Sequence, residues 1–214
     1  MNKAMCENLK TIRESRKSNI VNPAVIDYNI NKEEGGYMDA LWKEEIHTID
    51  DIYALPDGKR AELIDGQIYY MAPPSTTHQR LVNFISTEIN MYIRKNNGDC
   101  EVFPAPFAVF LNKDDMNYIE PDISVICDSS KLDDKGCHGA PDWVIEIVSP
   151  SSKPRDYMTK LFKYRTAGVR EYWIVDPEKQ MAMVYGFEHE TVEQYHFGED
   201  IPVGIYEGFS IKVQ

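Results

Sequence analysis

Over 214 residues, 35 Asp and Glu outnumber 23 Lys and Arg, giving a formal net charge of −12, while 43% of the chain is hydrophobic and 27% charged. Such a length holds one sizeable core with a terminal extension but is short for two ordinary domains, and the composition excludes general disorder. The acidity weakens non-specific attraction to nucleic acid, which rests on Lys and Arg displacing counterions from phosphates; with no run near the roughly 20 apolar residues of a membrane span and no signal-peptide pattern, a cytoplasmic protein free of the membrane is expected.

Residues 1–44 are polar, carry Asn22-Pro23 and Gly35-Gly36, and hold a small basic excess before residue 20; they read as an extension, leaving 45–214 as a single domain. A short helix is expected over Ile49 to Ala54, with Thr48 or Asp50 as cap, followed by two strands over Ala61 to Met71 around Asp65-Gly66, a favoured hairpin turn. After a Pro-Pro-Ser-Thr-Thr loop, Leu81, Ile85, Ile89, Tyr92 and Ile93 recur at helical spacing, predicting a helix over His78 to Lys95 that Asn96-Asn97-Gly98 ends. Three strands follow, over Val102 to Leu111, Tyr118 to Cys127 and Trp143 to Ser149. A second helix over Lys153 to Ala167, stopped by Gly168, leads to a strand over Glu171 to Val175, and this strand, helix, strand unit favours parallel pairing. Further strands over Met181 to Phe187, Val192 to Phe197 and Ile205 to Val213 make the sheet mixed. The four cysteines have no Cys-x-x-Cys pair, suggest neither a zinc knuckle nor a disulfide framework, and read as buried or incidental thiols.

In Trp143-Val144-Ile145-Glu146-Ile147-Val148 one carboxylate interrupts a run that is apolar on both faces, as in a central strand. An ionised Glu146 there is paired with a cation, protonated, or turned to a water-filled cleft, because bare burial of charge is too costly. Asp122, after Pro121, opens the strand before it, and two carboxylates from adjacent strands suit a hard cation such as Mg²⁺. On the helix over 153–167 the apolar stripe runs through Tyr157, Leu161 and Tyr164; Lys160 lies roughly 65° from its middle and Lys163 about 125° away, so Lys160 borders the buried face and Lys163 points to solvent. His78, where a helix begins, either touches a phosphate or only closes the loop. The bland alternatives are a turn cap for Asp122, a buried salt bridge for Glu146 and a snorkelling helix-edge lysine for Lys160.

Pro121-Asp122, Glu146-Ile147-Val148, then Asp156 and Lys160 resemble the PD-(D/E)XK nuclease superfamily in its Uma-type branch of restriction-endonuclease-like proteins. The likeness runs from about Glu62 to Pro177 and includes Glu62-Leu63-Ile64-Asp65-Gly66, the Pro73-Pro74 loop and Gly168 to Pro177. The superfamily's lysine normally stands two residues after the glutamate, where this chain has Val148; in the resembled branch it moves to the next helix, which matches Lys160. The resemblance implies a restriction-endonuclease-like α/β (α+β mixed) fold, a central mixed sheet flanked by helices, with an N-terminal hairpin and extra C-terminal strands. It implies DNA hydrolysis with Asp122, Glu146 and Lys160 catalytic. The metal, Mg²⁺ with Mn²⁺ as substitute, is then held by Asp122, Glu146 and the Ile147 backbone carbonyl, with Glu62 and His78 as accessory groups. A homodimer is expected, and no small-molecule cofactor, since there is no Gly-rich phosphate loop. The rival reading keeps the fold as a catalytically weak DNA-associated or regulatory protein, which the negative charge favours.

Overall fold

The fold opens with a short helix α1, Ile49–Tyr53, at whose start the Thr48 amide donates to Asp51 Oδ2. Asp65 and Gly66 then adopt φ of 50° and 76°, the conformation a two-residue hairpin turn demands, and join β1, Ala61–Ile64, to β2, Gln67–Tyr70. The structure is a computed structural model that describes residues 45–150 and 152–214, so the basic extension expected over 1–44 lies outside the described residues.

Helix α2, Thr76–Lys95, begins two residues earlier than expected because Ser75 caps it, accepting from the His78 amide. Proline divides both of the next predicted strands. The first becomes β3, Glu101–Pro104, and β4, Val109–Phe110; of the second only β5, Ile123–Ile126, joins the main sheet, while Tyr118 and Ile119 bridge singly to Leu63 and Val109. A small hairpin, β6 (Leu132–Asp133) and β7 (Gly136–His138), was not foreseen and forms a three-stranded sheet with β4.

Strand β8, Trp143–Ile147, leads through a turn to a π-helical segment, Arg155–Lys160, which runs directly into α3, Leu161–Ala167. Gly168 at φ 95° ends that helix, and β9, Glu171–Asp176, returns parallel to β8. Antiparallel β10, Met181–Gly186, and β11, Thr191–His196, complete a mixed sheet of order β11-β10-β9-β8-β5-β3. The expected strand over 205–213 is instead a turn around Gly208, and only β13, Ser210–Ile211, pairs, with β12, Ile201–Pro202. No described helix is long and apolar enough to cross a membrane.

Alternation along β8 sorts its side chains between two cores. Trp143, Ile145 and Ile147 pack with Leu81, Ile85 and Ile89 of α2, whereas Val144 and Val148 pack with Tyr164, Tyr172 and Ile174 on the opposite face. Glu146 shares that second face, against the helix after β8. The antiparallel register of β3 and β5, Glu101 opposite Ile126, brings Cys100 beside Cys127, and the two form a disulfide; this corrects the reading of both as thiols. Cys137 is free and buried.

Candidate active site

At the mouth between β5 and β8, Asp122 Oδ2 accepts from the Ile147 amide at 2.8 Å and lies 3.1 Å from His78 Nε2. His78, at the first turn of α2, is thus joined to Asp122. Burial works against the charged imidazole, but the hydrogen bond and charge of Asp122 hold its pKa above the ordinary value.

Deeper in, the Lys160 ammonium donates to Glu146 Oε1 and Glu62 Oε1, both at 2.8 Å, and lies 3.6 Å from Asp156 Oδ1. The Tyr164 hydroxyl donates to the same Glu146 oxygen at 2.7 Å. Glu62 also accepts from the Glu120 amide and is 1% exposed, so this hairpin glutamate is buried in the cluster rather than solvated. Lys160, at 3% exposed, is inside the cluster and not at its border. Over Arg155–Lys160 the helix takes π geometry, and Asp156 and Lys160, four residues apart, are both buried there. Lys163 does not point to solvent; it forms an ion pair with Asp65 in the hairpin turn, tying α3 to β1 and β2.

Three acids around one ammonium leave negative charge in excess. Burial first, then Asp156, Asp122 and Glu62, push the Glu146 carboxyl up to about 8 against the pull of Lys160. Burial opposes the Lys160 charge, yet Glu146, Glu62 and Asp156 together raise its pKa above the ordinary value. These groups line a cleft of about 540 Å³ whose walls carry Arg60, Arg155 and Lys160 against Glu62, Glu120, Asp122, Glu146, Asp156 and Glu178. A polyanion entering this cleft needs added positive charge.

The donor set fits a hard cation. Ile147 and His78 both use Asp122 Oδ2, and Lys160 and Tyr164 both use Glu146 Oε1, so each carboxylate keeps a second oxygen. Asp156 Oδ1 is buried with no hydrogen-bond partner. Among the described residues no three His, Cys, Asp or Glu side chains form a ready-made metal cluster. The oxygens left over on Asp122 and Glu146 are of the kind that Mg²⁺ accepts together with water. Sequence reasoning missed the roles of Tyr164 and Asp156 within the cluster, although each stands four residues from Lys160. It also missed Glu120, which takes Arg60 and the Tyr118 hydroxyl.

The Uma2 family model, described as "Putative restriction endonuclease", matches residues 46–214. The chain belongs to the Uma2 family. An uncharacterized protein of Synechocystis sp. is 31% identical over 142 residues, covering 66% of this chain and 68% of that protein. A crystal structure titled as a "putative nuclease belonging to DUF820" from Anabaena variabilis superposes with a TM-score of 0.60 at 23% identity, covering 74% of this chain and 89% of that one. That likeness extends to the architecture, a mixed α/β fold whose central mixed sheet is flanked by helices. In this Uma2 chain the lysine two residues past the glutamate is absent, and the ammonium beside Glu146 comes from the following helix.

Proposed function

We propose that this chain is a divalent-metal-dependent endonuclease that hydrolyses DNA phosphodiester bonds. The observation that carries the reading is the cleft in which Asp122 and Glu146 each keep a second oxygen while Lys160 lies against Glu146. Asp122, Glu146 and the Ile147 carbonyl would hold Mg²⁺, with Mn²⁺ as a substitute. When bound, such an ion polarises a phosphoryl oxygen and lowers the pKa of water. Lys160 keeps Glu146 and Glu62 in place and supplies positive charge at the cleft floor, where negative charge grows on the phosphate. His78 orients Asp122 through its Oδ2, and Tyr164 does the same for Glu146. A homodimer, which would present two such sites to a duplex at once, is the expected assembly, and the cytoplasm the expected compartment.

The test is conversion of supercoiled plasmid to nicked and linear forms by purified protein with Mg²⁺ or Mn²⁺. Glu146→Ala should slow it by at least about 10²-fold, the scale of losing one main electrostatic group. Equal rates in both proteins would refute the assignment. The acidic excess of the cleft favours a second reading, a DNA-associated protein of the same fold without catalysis. Retarded DNA mobility with no cleavage in any divalent metal selects that reading.

A further inference from the structure

Besides the groups already assigned, the cleft contains a guanidinium whose hydrogen-bonding capacity is largely unused. Arg155 lies in the π-helical segment, one residue before Asp156, and lines the cleft. Its Cζ stands 4.8 Å from the centroid of the Tyr69 ring, and its side chain is 19% exposed. A guanidinium stacked on an aromatic face and mostly enclosed has few orientations left. Its Nε forms an ion pair with Glu62 Oε2 at 3.7 Å, beyond hydrogen-bond reach, and is buried with no hydrogen-bond partner.

The other cations of the cleft are occupied. Lys160 donates to two carboxylates at 2.8 Å, and Arg60 donates to Glu120 through both Nε and a terminal nitrogen. Keeping a buried N–H without an acceptor costs stability, and here it coincides with a planar set of donors held at the wall of an open cleft. A planar guanidinium matches two oxygens of a phosphate group better than any other side chain.

We propose that Arg155 is a phosphate-binding residue that anchors a phosphodiester next to the one being cut, an inference that rests on the nuclease reading above. Its position relative to Glu62 makes the choice of phosphate. Lys160 takes Glu62 Oε1, whereas Arg155 approaches Oε2, so one carboxylate separates the guanidinium from the ammonium beside Glu146. On this proposal the group that Arg155 meets is a neighbour of the phosphate at Glu146 and not the reacting one itself. Contact there holds substrate and transition state alike, and its loss raises KM while leaving kcat nearly unchanged.

The experiment measures anisotropy of a fluorescein-labelled DNA duplex with Ca²⁺ in place of Mg²⁺, and cleavage kinetics with Mg²⁺. The proteins compared are wild type, Arg155→Ala, Arg155→Lys, and Lys212→Ala as a charge control; Lys212 pairs with Asp200 and lines no part of the cleft. Arg155→Ala should weaken binding by roughly tenfold or more, the scale of a lost hydrogen bond to a charged group. The slope of log affinity against log salt should fall by about one, a change that loss of folding does not mimic. Arg155→Lys should recover part of the affinity, and it keeps the question answerable if the alanine variant does not fold. Lys212→Ala binding like wild type supports the assignment. Unchanged affinity and salt slope in Arg155→Ala, or a lysine variant equal to wild type, would overturn it. If wild type itself neither binds nor cuts DNA, the nuclease reading fails; if wild type does both and Arg155→Ala matches it, only this inference fails.

Discussion

Glu146 and Asp176 are both buried carboxylates on the paired parallel strands β8 and β9, at 4% and 0% exposure, yet their surroundings differ. Asp176 is fully served: its Oδ1 accepts from the amides of Glu178 and Lys179, each at 3.1 Å, and its Oδ2 faces Lys153 at 2.8 Å and the Tyr157 hydroxyl. Glu146 has two donors on one oxygen, none on the other, and three further acids nearby. Its pKa is raised, whereas that of Asp176 is lowered. Burial of an acid therefore does not mark a functional site by itself. What sets Glu146 apart is several acids sharing one ammonium, a deficit that a bound cation would fill on the proposed reading.

The largest effect should follow from removing the one ammonium of the Glu146 cluster. Lys160→Met leaves Glu146, Glu62 and Asp156 buried without their counterion and should destabilise the protein by about 3–5 kcal/mol in urea unfolding. Adding Glu62→Gln and Glu146→Gln to that variant should recover much of the loss. An unfolding midpoint unmoved by Lys160→Met would mean that the acids are compensated by something else. Ile145→Ala, on the same strand but facing α2, calibrates the apolar side. Deleting that side chain should cost about 2–5 kcal/mol through lost burial and a cavity. Nuclease activity per folded molecule should stay at the wild-type level, and an activity loss in the folded fraction would break the separation between the two faces of β8.

Much of the fold was legible because local chemistry decides it. Asp65-Gly66 could scarcely be anything but a tight turn, the apolar spacing from Leu81 to Ile93 permits only a helix, and Gly168 stops the helix after Lys160. The carboxylate inside the apolar run of β8 was equally visible, since burying a charge there is costly unless it is paired. The remainder depends on tertiary register. Cys100 meets Cys127 only through the pairing of β3 with β5, and Lys163 reaches Asp65 only once the hairpin docks on α3. The burial of Glu62 shows only once its strand is seen against the segment that carries Lys160. The π segment is least legible of all: a regular helical projection puts Lys160 at a border, and nothing in Arg155 to Lys160 announces the altered turn.

Asp176 provides the smaller, opposite test. Burial pushes its carboxyl upward, but the hydrogen bond from Lys153, then the Lys179 amide and the Lys153 charge, hold its pKa below the ordinary 3.8. A carboxylate with a depressed folded-state pKa contributes stability that is present above its unfolded pKa and lost as pH falls through the folded value. Asp176→Asn, which keeps one acceptor oxygen but loses the charge, should cost about 1–2 kcal/mol at neutral pH. The gap in Tm between wild type and variant should hold steady from pH 7 down to about 5 and close only below 3.8. A gap that instead closes around neutral pH would place Asp176 with Glu146, as an acid short of positive charge, and would remove the contrast by which the Glu146 cluster was recognised.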